Sequence, residues 1–258
     1  MCRLLAALPA SKSRQGELIV QLSNLARCGV VPQGEPEGHS DNWGLCSYSN
    51  QQLRHYITMT ESADGSKQLE KISGELKQYP QELVIGHVRK ASIGDSSVLN
   101  AHPFIYNQYS FAHNGTIFDI SKDILSEECQ KIVTGETDSE IFFARIMQYV
   151  GEGNTTKNAL LKTIKYIDKT FDYTALNCLL ADGKTLYAIR HYNPKNTYVK
   201  TLAMAEYYTL FVGYEKEIPV VICSEAIPDA PYIWKPLGNN EMFTYELESN
   251  IWDINQSI

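Results

Sequence analysis

The run Cys2-Arg3-Leu4-Leu5-Ala6-Ala7-Leu8, closed by Pro9, constrains the fold more than any other feature of the sequence. A short apolar run ended by a proline reads as a buried strand beginning at the very N-terminus. Chain ends normally fray at the surface, so a strand starting at residue 2 puts the terminus inside structure. The 258 residues, 43% of them hydrophobic, suffice to bury a sizeable core around it.

The rest of the chain alternates between the two periodicities. Glu17 to Arg27 carries Leu18, Ile19, Leu22 and Leu25 at helical spacing and stops at Gly29. A polar loop from Pro32 to Asp41 follows. Trp43 to Tyr48 and Gln52 to Met59 read as strands, Gln68 to Tyr79 as a helix ended by Pro80, and Leu83 to Val88 as a further buried strand. Ala91 to Tyr109, with Gly94 and Pro103, reads as a long loop of the kind that carries function. A strand from Tyr109 to Ala112 ends at Asn114-Gly115. Helices are expected over Thr137 to Val150, with Thr137 as cap, and over Thr155 to Phe171. Strands are expected over Thr174 to Leu180, Thr185 to Ile189, Tyr207 to Val212, Val220 to Ser224 and Met242 to Leu247. Strands, then helices, then strands predict an α+β fold of two antiparallel sheets with helices outside them, one domain over residues 1–258.

The net charge of −7 argues against sequence-independent nucleic-acid binding, which needs clustered Lys and Arg. Six cysteines are scattered without a Cys-x-x-Cys pair, no basic region leads into an apolar one at the N-terminus, and no apolar run reaches the ~18 residues of a membrane span. A reducing, cytoplasmic setting with no membrane contact is expected.

Four short elements can carry chemistry. Removal of Met1 leaves Cys2 with a thiol and an α-amino group on one residue. With ordinary pKa values of ~8.5 and ~7.7–8.0, near pH 7.5 roughly a tenth of such a thiol is ionised and about a third of such an amine is neutral. Amine-assisted attack then needs no histidine. In Gly86-His87-Val88-Arg89-Lys90-Ala91-Ser92-Ile93-Gly94, a buried strand mounts Arg89 to clamp a carboxylate, with the Ser92 hydroxyl adding a bond; the plainer reading is a surface arginine at a strand exit. In Phe111-Ala112-His113-Asn114-Gly115, the Asn114 amide and the Gly115 N–H can converge on one oxygen, although Asn-Gly is also the commonest hairpin signal. In Gly135-Glu136-Thr137-Asp138-Ser139-Glu140, a carboxylate can bind an ammonium group, or merely favour the start of a helix.

In this order, with Asp41-Asn42-Trp43-Gly44 between the first two, these elements resemble the glutaminase domain of class II glutamine amidotransferases in the N-terminal-nucleophile hydrolase superfamily. The resemblance spans residues 2 to about 140. Later strands, including Ser224-Glu225, look like the remainder of that domain. Within the family the chain resembles the single-domain YafJ- and EgtC-like branch, whose chains open with Cys-x-Leu-Leu. The resemblance implies the four-layer αββα sandwich of that superfamily and no cofactor or metal. It further implies that Cys2 attacks the amide, Asn114 and Gly115 form the oxyanion hole, Arg89 binds the α-carboxylate and Asp138 holds the α-ammonium. Glutamine or another γ-glutamyl small molecule is then the substrate. Lys90 and Ile93 depart from the pattern of synthase-coupled members. Ammonia passes to a synthase or acceptor protein, or the reaction is plain hydrolysis of a γ-glutamyl amide.

Two rival readings stand beside this one. His87, His102 and His113, with Asp95 or Asp138, would form a metal-dependent hydrolase site, although their spacing matches no known zinc motif. A non-catalytic subunit that binds glutamine is the other.

Overall fold

The computed structural model describes residues 2–31, 37–90, 97–201 and 206–256. Cys2 leads into β1 (Arg3–Ala7), followed by α1 (Gln15–Cys28), β2 (Asn42–Ser49), β3 (Gln52–Met59), α2 (Lys67–Gln78) and β4 (Leu83–Arg89). Then come β5 (Phe104–Tyr106), β6 (Tyr109–Asn114), α3 (Glu127–Gln130), α4 (Asp138–Gly151), α5 (Thr156–Thr170), β7 (Asn177–Ala181), β8 (Thr185–Arg190) and α6 (Thr197–Thr201). β9 (Phe211–Glu215), β10 (Ile218–Cys223), β11 (Ile233–Pro236), β12 (Glu241–Glu246) and β13 (Trp252–Gln256) complete the order.

Two antiparallel sheets result. One runs β11-β9-β10-β1-β4-β2-β3, the other β13-β12-β8-β7-β6-β5. Alternation along each strand divides the core into layers. In β1, Leu4 and Ala6 pack between the sheets against Ala112, Leu179 and Ala188, while Leu5 and Ala7 face outward onto Leu18, Leu22 and Leu25 of α1 and Ile72 of α2. The other sheet repeats the arrangement: Leu180 and Phe111 face Phe142, Ile146, Leu160 and Ile164 of α4 and α5. This is the αββα sandwich expected. Thr137 caps α4 as expected, its hydroxyl accepting from Glu140 N at 3.2 Å, and Ser66 and Thr155 cap α2 and α5 in the same way, accepting from Leu69 N and Asn158 N at 3.3 Å.

The expected elements shift in several places, and the strand expected from Thr174 begins only at Asn177. The segment before Tyr109 is not all loop, since β5 pairs with β6 through Phe104 opposite Phe111. The strand expected from Tyr207 begins only at Phe211, because Tyr207 and Tyr208 pack with Ala175 and Val199 of α6 instead of pairing. β11 and β13 lie at the two sheet edges and carry many exposed residues, so no alternation announces them. Among the described residues no helix is long and apolar enough to cross a membrane.

Candidate active site

β1 is held between β4 and β10, with Arg3 opposite Val88 and Leu5 opposite Cys223. Ser224 completes the clamp: its N donates to Leu4 O at 3.0 Å, and its Oγ accepts from Leu4 N at 2.9 Å. Cys2 therefore leaves the centre of a sheet, on the Leu4 side that faces the second sheet. Its Sγ lies 3.9 Å from Lys90 O, and its backbone nitrogen donates to Asn114 Oδ1 at 3.1 Å. Cys2 is half-buried, whereas Cys46, Cys178 and Cys223 are wholly buried. Burial pushes the Cys46 and Cys223 thiols up to about 12 and raises that of Cys178 as well, which leaves these thiols inert.

Asn114 ends β6 fully buried. Its oxygen must face the Cys2 N–H, so its Nδ2 points elsewhere, and that nitrogen has no hydrogen-bond partner among the described residues. An unpaired buried amide nitrogen is costly, about 1–3 kcal/mol, and marks a place where an acceptor belongs. Gly115 does not form a hairpin turn. The chain runs on beside residues 173–175, with Thr116 N bonded to Thr174 Oγ1 at 2.9 Å and Ile117 bridged to Tyr173. A Cβ on Gly115 would stand 1.8 Å from Ala175 O, so only glycine fits. Gly115→Ala should therefore lower stability by about 1–3 kcal/mol through overpacking, read from the urea midpoint; a wild-type midpoint would remove this constraint.

Arg89, the last residue of β4, is 3% exposed, which overturns the plainer reading of a surface arginine. It pairs across the sheet with Asn42, and its carbonyl accepts from Asp41 N at 3.1 Å. The Asp41-Asn42-Trp43-Gly44 segment thus lies directly against the strand that carries the arginine. Ser92, like Asp95, falls outside the described residues.

The structure distinguishes the three acids near α4. Glu140 is occupied by Gly135 N at 2.7 Å and by the Thr134 N–H and hydroxyl, and Glu136 is exposed. Asp138 is 6% exposed, and its Oδ2 accepts from Ile117 N at 2.7 Å, which ties α4 to the segment after Gly115. Among the described residues its Oδ1 meets only Ser139 Oγ, at 3.4 Å, and keeps capacity for a donor.

Two of the three histidines meet, and the third turns away from them. His113 lies on the helix side of β6, where Nδ1 meets Ser139 Oγ at 2.8 Å and Nε2 donates to Ala175 O at 3.0 Å. Both nitrogens are occupied, leaving no lone pair for a metal. His87 alternates with Val88 and shares the Leu4 side of its sheet; its ring lies 4.3 Å from that of His102, whose carbonyl would be 2.2 Å from a Cβ on Gly44. Among the described residues no group of three or more His, Cys, Asp or Glu side chains is placed to hold a metal ion.

These imidazoles respond to acid. Burial, with Arg3 adding, lowers His39 to about 3; burial then neighbouring charge put His87 and His102 well below the ordinary value, and burial lowers His113 despite Asp138. Below about 6.5 the unfolded chain takes up protons that the folded chain refuses, so stability falls as pH drops toward 3. The loss should be about 1.4 kcal/mol per pH unit for His39 alone. Urea midpoints should thus fall from pH 7 to pH 5; equal midpoints would contradict it.

Two buried side chains of this region were not singled out from sequence. Arg3 is 1% exposed, with Nε 3.3 Å from Glu225 Oε2 and its guanidinium 4.1 Å above the Tyr207 ring. It also bonds to Val30 O, and Val30 N donates to Glu225 Oε2 at 2.9 Å. The residue after Cys2 is thereby anchored by the Ser224-Glu225 pair that the sequence had marked. Asn177 is the other, fully buried opposite Asn114. In each case the signal was a polar residue within an otherwise apolar run of sequence.

Comparison with known proteins follows this geometry. A sequence model of the family described as "Glutamine amidotransferases class-II" matches residues 1–206. An uncharacterised protein of Methanocaldococcus jannaschii is 26% identical over 234 residues, covering 81% of this chain and 62% of that protein. "Probable glutamine amidotransferase DUG3" of Saccharomyces cerevisiae is 24% identical over 209 residues, 65% of this chain and 58% of that one. YafJ of Escherichia coli is 27% identical over 172 residues, 62% and 64% of the two chains. The chain spans about 60% of the length of these relatives. Among solved structures, a glutamine aminotransferase class-II domain protein from Silicibacter pomeroyi superposes with TM-score 0.64 at 17% identity, covering 100% of both chains. The glutamine phosphoribosylpyrophosphate amidotransferase of B. subtilis gives 0.62 at 14% identity, over 100% of this chain and 49% of that one.

Proposed function

The chain belongs to the class II glutamine amidotransferases, and on that premise we propose that it hydrolyses the γ-amide of glutamine or of a γ-glutamyl compound with Cys2 as N-terminal nucleophile. The observation that supports this reading is the bond from the backbone nitrogen of Cys2 to Asn114 Oδ1 at 3.1 Å, which ties Cys2 to a side chain whose amide nitrogen has no partner among the described residues.

After removal of Met1, the neutral α-amino group of Cys2 takes the thiol proton as sulfur attacks the γ-carbonyl carbon. A C–S bond forms and the carbonyl π electrons move to oxygen. Asn114 Nδ2 and the Gly115 N–H stabilise that oxyanion, where one donor is worth on the order of 10²–10³ in rate. Collapse of the intermediate breaks the C–N bond, and the ammonium of Cys2 returns its proton to the departing ammonia or amine. Water then attacks the thioester, with the same amine as base, and glutamate leaves. Arg89 grips the α-carboxylate and Asp138 Oδ1 the α-ammonium, with Ser92 adding a hydroxyl. Holding both charges of the head leaves a γ-linked carbonyl beside the thiol.

The leaving group is ammonia, passed to a synthase or acceptor protein, or an amine released by plain hydrolysis. Glutamate release from glutamine, glutathione and other γ-glutamyl amides separates these outcomes. The reading expects at least one donor to be turned over and α-linked glutamyl amides to be refused; no glutamate from any γ-linked donor would overturn it.

A further inference from the structure

Asn177 opens β7 in the middle of the apolar run Ala175-Leu176-Asn177-Cys178-Leu179. It is the direct cross-strand partner of Asn114. Residues so paired have Cβ atoms ~4.5–5.5 Å apart on one face of the sheet. That face is the one between the sheets, because Ala112 and Leu179, each two residues from its asparagine, both lie in the inter-sheet core.

The two amides are fixed in the same manner. Asn114 Oδ1 accepts the nitrogen of Cys2 at 3.1 Å, and Asn177 Oδ1 accepts the backbone nitrogen of His191 at 2.8 Å. A donor cannot face a donor, so both oxygens are assigned by chemistry. His191 follows β8, on the far side of β7 from β6. A planar amide whose oxygen turns toward β8 turns its nitrogen away from β8. Asn177 Nδ2 is buried and, like Asn114 Nδ2, has no hydrogen-bond partner among the described residues. Two adjacent buried amides, each anchored by its oxygen and each with an idle donor, call for an acceptor absent from the resting chain.

We infer that Asn177 is a further catalytic residue, whose Nδ2 donates to the oxygen of the γ-carbonyl as that oxygen gains charge, alongside Asn114. The inference rests on the Cys2 reading above. It gives the oxyanion hole two side-chain donors on neighbouring strands together with the Gly115 N–H. A rigid two-strand mount suits groups that must be aimed before reaction.

Asn177→Asp keeps an oxygen for His191 N and replaces the donor by an acceptor; Asn177→Ala removes both. With folding checked by circular dichroism and kcat expressed per folded molecule, each variant should lose roughly 10²-fold in kcat on the best γ-glutamyl donor, with KM within twofold of wild type. A folded variant with wild-type kcat overturns the inference, as does a KM increase with unchanged kcat. Failure of both variants to fold assigns Asn177 to architecture and overturns it too. An inactive wild type sinks the Cys2 reading and this inference together, whereas an active wild type with an equally active Asn177→Asp sinks this inference alone.

Discussion

Cys2→Ala is expected to reduce glutamate release by on the order of 10⁴-fold or more while leaving the fold intact. The size of the effect follows from chemistry: without sulfur no thioester forms, and water must attack an unactivated amide. The thiols of Cys46, Cys178 and Cys223 cannot substitute, because they are sealed in the core with raised pKa values. The fold should survive because Cys2 precedes β1 and, among the described residues, its thiol has only a 3.9 Å contact with Lys90 O. Protein that retains Met1 should be as inactive as Cys2→Ala, since Met1 turns the base into an amide without touching the thiol. Activity is read as glutamate formed, with thermal melts as the fold control. Turnover by Met1-retaining protein would remove the terminal amine from the mechanism.

Arg89→Ala is expected to raise KM for the γ-glutamyl donor by about 10²–10³-fold, the effect of truncating one partner of a buried charge pair. The arginine is 3% exposed, so a carboxylate bound to it would be largely removed from water. Arg89→Lys should not restore KM, because an ammonium lacks the planar fork that takes both carboxylate oxygens. The fold has less at stake, since Arg89 closes β4 while Val88 and Ile85 carry its packing. Steady-state kinetics on glutamine decide the matter; an Arg89→Ala enzyme with unchanged KM would take the residue out of the site.

The sequence made the centre of the fold legible and its edges much less so. Leu4 and Leu5 sit in different hydrophobic layers, and that division by strand alternation is readable from a short apolar run. β11 and β13 pair on one side only and keep Ile233 and Trp252 partly exposed, so no comparable pattern existed to read. Tyr207 and Tyr208 look like strand residues because they are buried, but α6 buries them. In the candidate site, Cys2, Arg89 and Asn114 stand at strand ends, as the strand pattern of the sequence implied. What the linear sequence could not carry was which atom of each side chain is already occupied. Asp138 spends one oxygen on Ile117, Glu140 spends itself on Thr134 and Gly135, and His113 spends both nitrogens on Ser139 and Ala175. Asn177 was passed over because only the register of β6 against β7 sets it opposite Asn114.

Intact-mass measurement after incubation with the glutamine analogue 6-diazo-5-oxo-norleucine tests the central claim most directly. The diazo carbon should take up the proton of the thiol and the sulfur then displace dinitrogen from it to form one C–S bond, adding a single adduct that peptide mapping places on Cys2 and that Cys2→Ala lacks. An unmodified wild type, or an adduct on exposed Cys28 or half-buried Cys129 instead, would contradict it.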